Sequence, residues 1–335
     1  MEDWTAITTS ARQMPVMSHG GRYSRALAIG ATAGLATLCA IYLTLNLIGH
    51  LPPPPLSNNY CVDEKLAFLR ENPPKHPNFL TIGSSIAWRN IDSSVLVDAG
   101  SDIRPLNGGF CGLQVHQAAF VSRWMADHWP SIEQVLLIAS PLDYYNCDQR
   151  GKVFDPVDAA AFIFEEAPAW RFYLRYFDPI SLARNVKRQV HDRAQARILG
   201  ITRELTSHGD GPLRTDRNRG LFYGPVSRID DRCLAALRSL AIELDDESRR
   251  FMVVTMPMHP DWLVRYDPDG SLRRRFSRSI EAALKDTGAI FWDAGGEPVL
   301  DRHAYTDAVH VRWPAARVLT EAIVRRLEIE DRSRF

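Results

Sequence analysis

Between Ala26 and Gly49 the chain reads ALAIGATAGLATLCAIYLTLNLIG, without one charged side chain. As a helix rising 1.5 Å per residue, such a run is about 36 Å long, enough to cross a hydrocarbon core of ~30 Å. A cleaved signal peptide is the alternative. Its apolar core usually spans ~7–15 residues and its small residues follow that core. Here the small residues Gly30–Gly34 stand near the beginning of the run. The segment therefore predicts a transmembrane anchor over 26–49. Arg12, Arg22 and Arg25 precede it, with no acidic residue between Arg12 and Arg25. After it come Leu51, four prolines, Asp63 and Glu64, with Lys65 the first basic residue. Positive charge stays on the cytoplasmic side, so the N-terminus is expected in the cytoplasm and everything from Leu51 on outside it. In a Gram-negative cell that places the main domain in the periplasm, anchored to the inner membrane. The proline run predicts an extended, semi-rigid spacer.

The expected organisation is a cytoplasmic tail over 1–25, the membrane helix over 26–49, a spacer over 50–60 and one domain over 61–330. Lysine plus arginine and aspartate plus glutamate number 40 each, which leaves no electrostatic case for a nucleic-acid partner. Of the five cysteines, Cys39 lies in the apolar run. Cys61, Cys111, Cys147 and Cys233 are either free thiols or one or two disulfides, and their spacing does not choose the pairing. No Cys/His cluster has metal-ligand spacing and no glycine-rich phosphate loop is present, so neither a metal nor a cofactor is expected.

In the main domain short apolar runs alternate with helical patterns. Strands are expected at Asn78–Ile82, Arg104–Leu106, Gln134–Ala139, Arg250–Met256 and Ala289–Asp293. Helices are expected at Asp63–Glu71, Ser85–Asn90, Ser93–Ala99, Leu113–His128, Asp230–Glu247, Leu272–Thr287 and Trp313–Leu327. Such alternation predicts an α/β fold with a parallel sheet covered on both faces. Residues 151–226 break the pattern and read as an insertion. Asp158–Phe177 is alanine- and aromatic-rich, Ser181–Leu199 is basic and amphipathic, and Thr206–Gly224 is a polar loop. The aromatics read first as the packing of a helical flap. The alternative is a membrane-facing or partner-binding surface.

Three motifs carry chemistry. Gly83-Ser84-Ser85-Ile86 follows the first strand, and a serine at a strand-to-helix turn exposes its hydroxyl above the sheet. Asp307-Ala-Val-His310 precedes the last helix. There the histidine is placed to take a serine proton and the aspartate to orient the ring. Asn107-Gly-Gly-Phe-Cys-Gly112 follows the second strand, and its glycines let backbone N–H groups approach a substrate oxygen.

In this order and setting the three motifs resemble the blocks of the SGNH (GDSL-type) hydrolases. The resemblance implies a three-layer α/β/α fold with about five parallel strands. It implies Ser85 as nucleophile, Asp307 and His310 as its triad partners, and the N–H groups of Ser85 and Gly112 as the oxyanion hole. One block departs from the family. Where an oxyanion-hole asparagine is usual, Ser140-Pro-Leu-Asp-Tyr-Tyr-Asn146 places Leu142 beside Asp143. Asn107, Ser140, Asp143 and Asn146 are then candidate cleft-lining residues, Ser140 and Asn146 as stand-ins for the missing donor. His259, after the strand-ending Pro257, reads as a loop histidine.

With its anchor, degenerate third block and late DxxH, the chain resembles the membrane-anchored proteins of polysaccharide O-acetylation and D-alanine transfer. That resemblance implies serine-dependent acyl transfer, here acetyl, to a cell-envelope polysaccharide outside the cytoplasm. It also implies an integral membrane acyltransferase as partner. An acyl esterase on the same substrates, or a non-catalytic scaffold of a modification complex, are the alternatives.

Overall fold

The computed structural model describes residues 19–147, 151–199, 205–221 and 223–327. The expected tail up to residue 18 and the domain's last residues, 328–330, lie outside them. The chain divides into two compact units, Met1–Leu51 and Pro52–Phe335. Among its described residues the first contains one helix, α1 (His19–Leu47). Its stretch Gly21–Leu47 is long and apolar enough to cross a membrane, its most apolar 18-residue window having a mean hydropathy of 1.9.

The second unit opens with α2 (Tyr60–Glu71), β1 (Phe79–Ile82), α3 (Ser85–Asn90), α4 (Ser93–Ala99), β2 (Pro105–Asn107), α5 (Val115–His128) and β3 (Gln134–Ala139). Then come α6 (Pro156–Ile163), α7 (Ala169–Arg175) and α8 (Pro179–Leu199). It closes with α9 (Asp231–Asp246), β4 (Arg250–Thr255), α10 (Pro260–Tyr266), α11 (Ser271–Leu284), β5 (Ile290–Trp292) and α12 (Trp313–Leu327). Side chains start several helices by accepting the free N–H groups of the first turn. Asn59 does so for α2, Ser84 for α3, Asp92 for α4 and Asp230 for α9.

The five strands form one parallel sheet in the order β2-β1-β3-β4-β5. Phe79 stands opposite Pro105 on one side and Gln134 on the other, and Gln134 opposite Arg250. β1 and β3 are buried along their whole length, which is why both read as unbroken apolar runs. Their side chains alternate between two cores. Leu80, Ile82, Val135, Leu137, Phe251 and Val253 pack against one layer, which includes α2, α5, α9 and α11. Phe79, Leu136, Ile138, Met252 and Val254 pack against the other, with α3, α4 and α12. This is the three-layer α/β/α fold expected.

Two disulfides tie loops to helices. Cys61–Cys111 joins α2 to the glycine-rich loop after β2, and Cys147–Cys233 joins the segment after β3 to α9. They suit an oxidising, extracytoplasmic setting for this unit. The insertion differs from its sequence reading in detail. Its aromatic part is two helices, α6 and α7, with Phe162 and Phe172 buried and their rings edge to face at 5.4 Å. Trp170, Leu174 and Phe177 are exposed. Helix α10 was not expected. Pro260 sits in its first turn, and the His259 side chain caps it.

Candidate active site

The sheet order reverses between β1 and β3, and in open parallel sheets the crevice beyond the strands' carboxyl ends at that point is where ligands bind. Each motif loop leaves such an end. Gly83, after β1, has φ +142, and a Cβ there would lie 2.9 Å from the Ile138 carbonyl oxygen and 2.9 Å from the Ala87 Cβ. Only glycine fits, and it turns the chain so that Ser85 opens α3.

His310 Nε2 lies 2.9 Å from the Ser85 hydroxyl oxygen. Its Nδ1 lies 2.9 and 3.1 Å from the two Asp307 oxygens. A ring protonated on Nδ1 donates to Asp307 and leaves Nε2 to accept the serine proton, the relay of a serine nucleophile. Asp307 Oδ1 also accepts the backbone N–H groups of Val309 at 3.0 Å and His310 at 2.8 Å. Burial alone would raise the Asp307 carboxyl. The hydrogen bonds and charge of His310 and these two N–H groups outweigh it and hold the pKa below the usual carboxylate value.

Three residues outside the motifs hold this relay. Asn90, at the end of α3, donates to the Val309 carbonyl at 2.8 Å and accepts the Val311 N–H at 3.0 Å, so the helix that carries Ser85 grips the loop that carries His310. Arg219, in the insertion, donates to Asp307 Oδ2 at 3.2 Å, and its neighbour Gly220 bridges to the Asp307 backbone. The Tyr223 ring lies 6.1 Å from that of His310, centroid to centroid. Burial first, and then the Asp307 charge, pushes the Tyr223 hydroxyl up to about 12, so it stays a neutral donor. Asn90 lay unremarked in an expected helix. Arg219 and Tyr223 lay in a polar stretch with no periodicity to single them out.

The N–H groups of the glycine-rich loop are mostly taken up by β1, the turn after it and the loop's own Asn107. The N–H of Gly108 donates to the Thr81 carbonyl, that of Gly109 to the Asn107 side chain and that of Phe110 to the Gly83 carbonyl. Gly108 and Gly109 serve packing, since a Cβ would meet Met125 Sδ at 2.6 Å and the Trp88 nitrogen at 2.6 Å. Gly112 differs. It has φ +68, faces open space, and its N–H and that of Ser85 have no partner among the described residues. These are the two N–H groups the resemblance assigns to an oxyanion.

The candidate cleft residues separate. Asn107 is fully buried and donates to the Ala87 carbonyl and to Asp210, so it stands behind the cleft rather than in it. Ser140 is also fully buried, its hydroxyl accepting the Leu142 N–H at 3.3 Å. Asn146 is exposed, and its backbone N–H donates to the Gln114 side chain. His259 accepts the Asp261 N–H at 3.0 Å as a helix cap. Asp143 is buried near Ser84 of the nucleophile turn, and its Oδ2 has no hydrogen-bond partner among the described residues. Burial pushes its carboxyl up to about 8 against the opposing bonds from Ser84 and Ser140. Among the described residues no group of three or more His, Cys, Asp or Glu side chains is placed to hold a metal ion.

No family model matches the chain, and no curated protein matches it. Several solved structures are similar to it, two of which follow. One is the inhibitor-bound aryl esterase of M. smegmatis, with a TM-score of 0.39 and 13% identity, over 75% of this chain and 98% of that one. The other is a carbohydrate acetylesterase family member from Sinorhizobium meliloti, with a TM-score of 0.35 and 12% identity, over 75% and 98%.

Proposed function

We propose that the chain is a serine-dependent acyl-transfer enzyme of the SGNH-hydrolase-like superfamily, acting on an acylated polysaccharide of the cell envelope. The observation that carries this reading is the unbroken relay from Asp307 through His310 to Ser85. Ser85 attacks the acyl carbonyl as His310 takes its proton. The tetrahedral oxyanion forms against the Gly112 and Ser85 N–H groups. His310 then returns the proton to the departing alkoxide, and an acyl-serine remains. A sugar hydroxyl or water, deprotonated by His310, attacks the ester and releases Ser85. Acetyl is the acyl group expected, and transfer is favoured over hydrolysis by the likeness of motifs and anchor to the membrane-tethered polysaccharide-modifying proteins. A donor outside the cytoplasm requires an acyl group delivered through the bilayer, hence the expected integral membrane acyltransferase partner. Helix α1 holds the enzyme on that membrane, N-terminus in the cytoplasm, and the two disulfides favour an extracytoplasmic second unit.

The test is turnover of an umbelliferyl acetate by the full chain in detergent, with and without oligosaccharide acceptors. Acetyl-oligosaccharide formed by wild type and not by Ser85→Ala supports transfer. Acetate alone, unaffected by acceptors, moves the reading to an esterase. No turnover, together with normal glycan acylation in cells carrying Ser85→Ala, sinks both.

A further inference from the structure

The insertion presents an apolar face for which the reaction has no use. Trp170 and Leu174 lie four residues apart on one side of α7, and the chain turns through Phe177 into Ile180 at the start of α8. Their exposures are 63, 48, 43 and 76%. The face is built, not frayed. On the other side of α7, Phe172 is fully buried. Arg70 of α2 donates to the carbonyls of Phe162 at 3.0 Å and Ala167 at 2.6 Å, fixing the segment that leads into α7.

Two observations identify what this face meets. Tyr173, on α7 itself, donates its hydroxyl to the Pro52 carbonyl at 2.5 Å. Pro52 is the first residue of the second unit, and α1 ends at Leu47. The backbone between them spans at most ~18 Å when fully extended. Whatever the arrangement of the two units, α7 is tied to Pro52, five residues after the end of the apolar helix. The second observation is charge. Residues 169–193 hold six basic side chains, Arg171, Arg175, Arg184, Lys187, Arg188 and Arg193, against two acidic ones, Asp178 and Asp192. Arg171, Arg184 and Lys187 are exposed. Tryptophan, phenylalanine, leucine and isoleucine flanked by arginine and lysine match an anionic lipid interface. The same excess of positive charge opposes a second copy of this surface.

We propose that the face formed by Trp170, Leu174, Phe177 and Ile180 lies in the headgroup region of the bilayer that α1 crosses, with Arg171, Arg184 and Lys187 on anionic lipid. The enzyme is then held at two points, and the second point sets which way its active site faces relative to the membrane. This inference rests on the anchoring role assigned to α1, not on the serine chemistry.

The full chain, with Cys39→Ala to remove the free thiol, is reconstituted into vesicles of phosphatidylcholine alone or in equimolar mixture with phosphatidylglycerol. Single cysteines at Leu174, Phe177 or, as a control, the exposed Val264 of α10 carry an environment-sensitive nitrobenzoxadiazole dye. In the mixed vesicles the dyes at 174 and 177 are expected to shift to the blue, lose most of their quenching by aqueous iodide and gain quenching by shallow spin-labelled lipid. The dye at 264 stays wet. The Arg171→Glu, Lys187→Glu double variant is expected to lose the protection in the mixed vesicles. Iodide quenching at 174 and 177 equal to that at 264 overturns the proposal, as does protection that appears only when another protein is added. Flotation after carbonate extraction separates the two readings. A chain that does not float refutes the anchor, whereas one that floats with wet dyes at 174 and 177 refutes only the docking.

Discussion

The turn after β3 and the loop before α12 each bury an aspartate close to the nucleophile turn, yet their surroundings are opposite. Asp307 meets donors on every side, from the His310 ring, two backbone N–H groups and the Arg219 guanidinium, and it is held below the usual carboxylate pKa. Asp143 has the Ser84 side chain and the Ser140 backbone, one bare oxygen, and a carboxyl pushed up to about 8. Burial is common to both, so the count of donors decides the charge. One loop is built to hold an anion that orients an imidazole. The other keeps a neutral acid close to the nucleophile turn.

The largest break in this contrast is Asp307→Asn. It removes the anion, and the amide no longer selects the working imidazole tautomer. Aryl-ester turnover is expected to fall by ~10⁴-fold with the fold retained, the scale seen when a triad aspartate becomes asparagine. Next is Asn90→Ala, which leaves the Val311 N–H and Val309 carbonyl buried without partners. A loss of stability of about 2–6 kcal/mol is expected in denaturant titration, since each of the two unpaired buried groups costs about 1–3 kcal/mol. Turnover should drop with it, because α3 then no longer grips the histidine loop.

Asp143→Asn sharpens the contrast rather than breaking it. In the fold Asp143 keeps its proton up to about pH 8, whereas the unfolded chain releases it near the ordinary carboxylate value of 3.8. Between those values the unfolded state binds fewer protons, so this residue lowers stability as pH rises, by up to about 1.4 kcal/mol per pH unit. Asparagine carries no titratable proton. Thermal unfolding of Asp143→Asn should therefore depend less on pH across that window, and its turnover should exceed wild type above pH 8. An unchanged pH profile would show that Asp143 is ionised in both states. The smallest effect is expected from Arg219→Ala. The pair is partly exposed, the arginine side chain at 34%, so water screens it. Turnover should fall only severalfold, most at low pH, where Asp307 loses a partner that keeps it charged.

How well each region could be read from sequence follows the same division. The buried strands were legible because each is a short apolar run, and observed bounds differ from expected ones by at most one residue at an end. Helices α3, α4 and α12 were read to the residue from their caps and flanking strands. The three motifs were legible because each is local, and the structure places the Ser85, His310 and Asp307 side chains at hydrogen-bond distance. Legibility failed where contact is made only through tertiary structure. Nothing in the sequence pairs Arg219 with Asp307, or Asn90 with the loop 219 residues away. Asn107 looked like a cleft residue because it heads a glycine-rich turn, but its amide is consumed by Asp210 and Ala87. The disulfide partners, 50 and 86 residues apart, depend on which loops the sheet order makes neighbours. Helix α10 was hidden by two prolines that read as a strand end.

The most direct test of the relay is covalent. The full chain in detergent is treated with a fluorophosphonate probe, digested and mapped by mass spectrometry, beside Ser85→Ala and His310→Ala. A working triad predicts a single phosphonylated serine at Ser85 in wild type, none in Ser85→Ala and a labelling rate reduced by orders of magnitude in His310→Ala. An unlabelled wild-type protein, or equal labelling of wild type and His310→Ala, would contradict the account, because the hydrogen bond from Ser85 to His310 would then activate nothing.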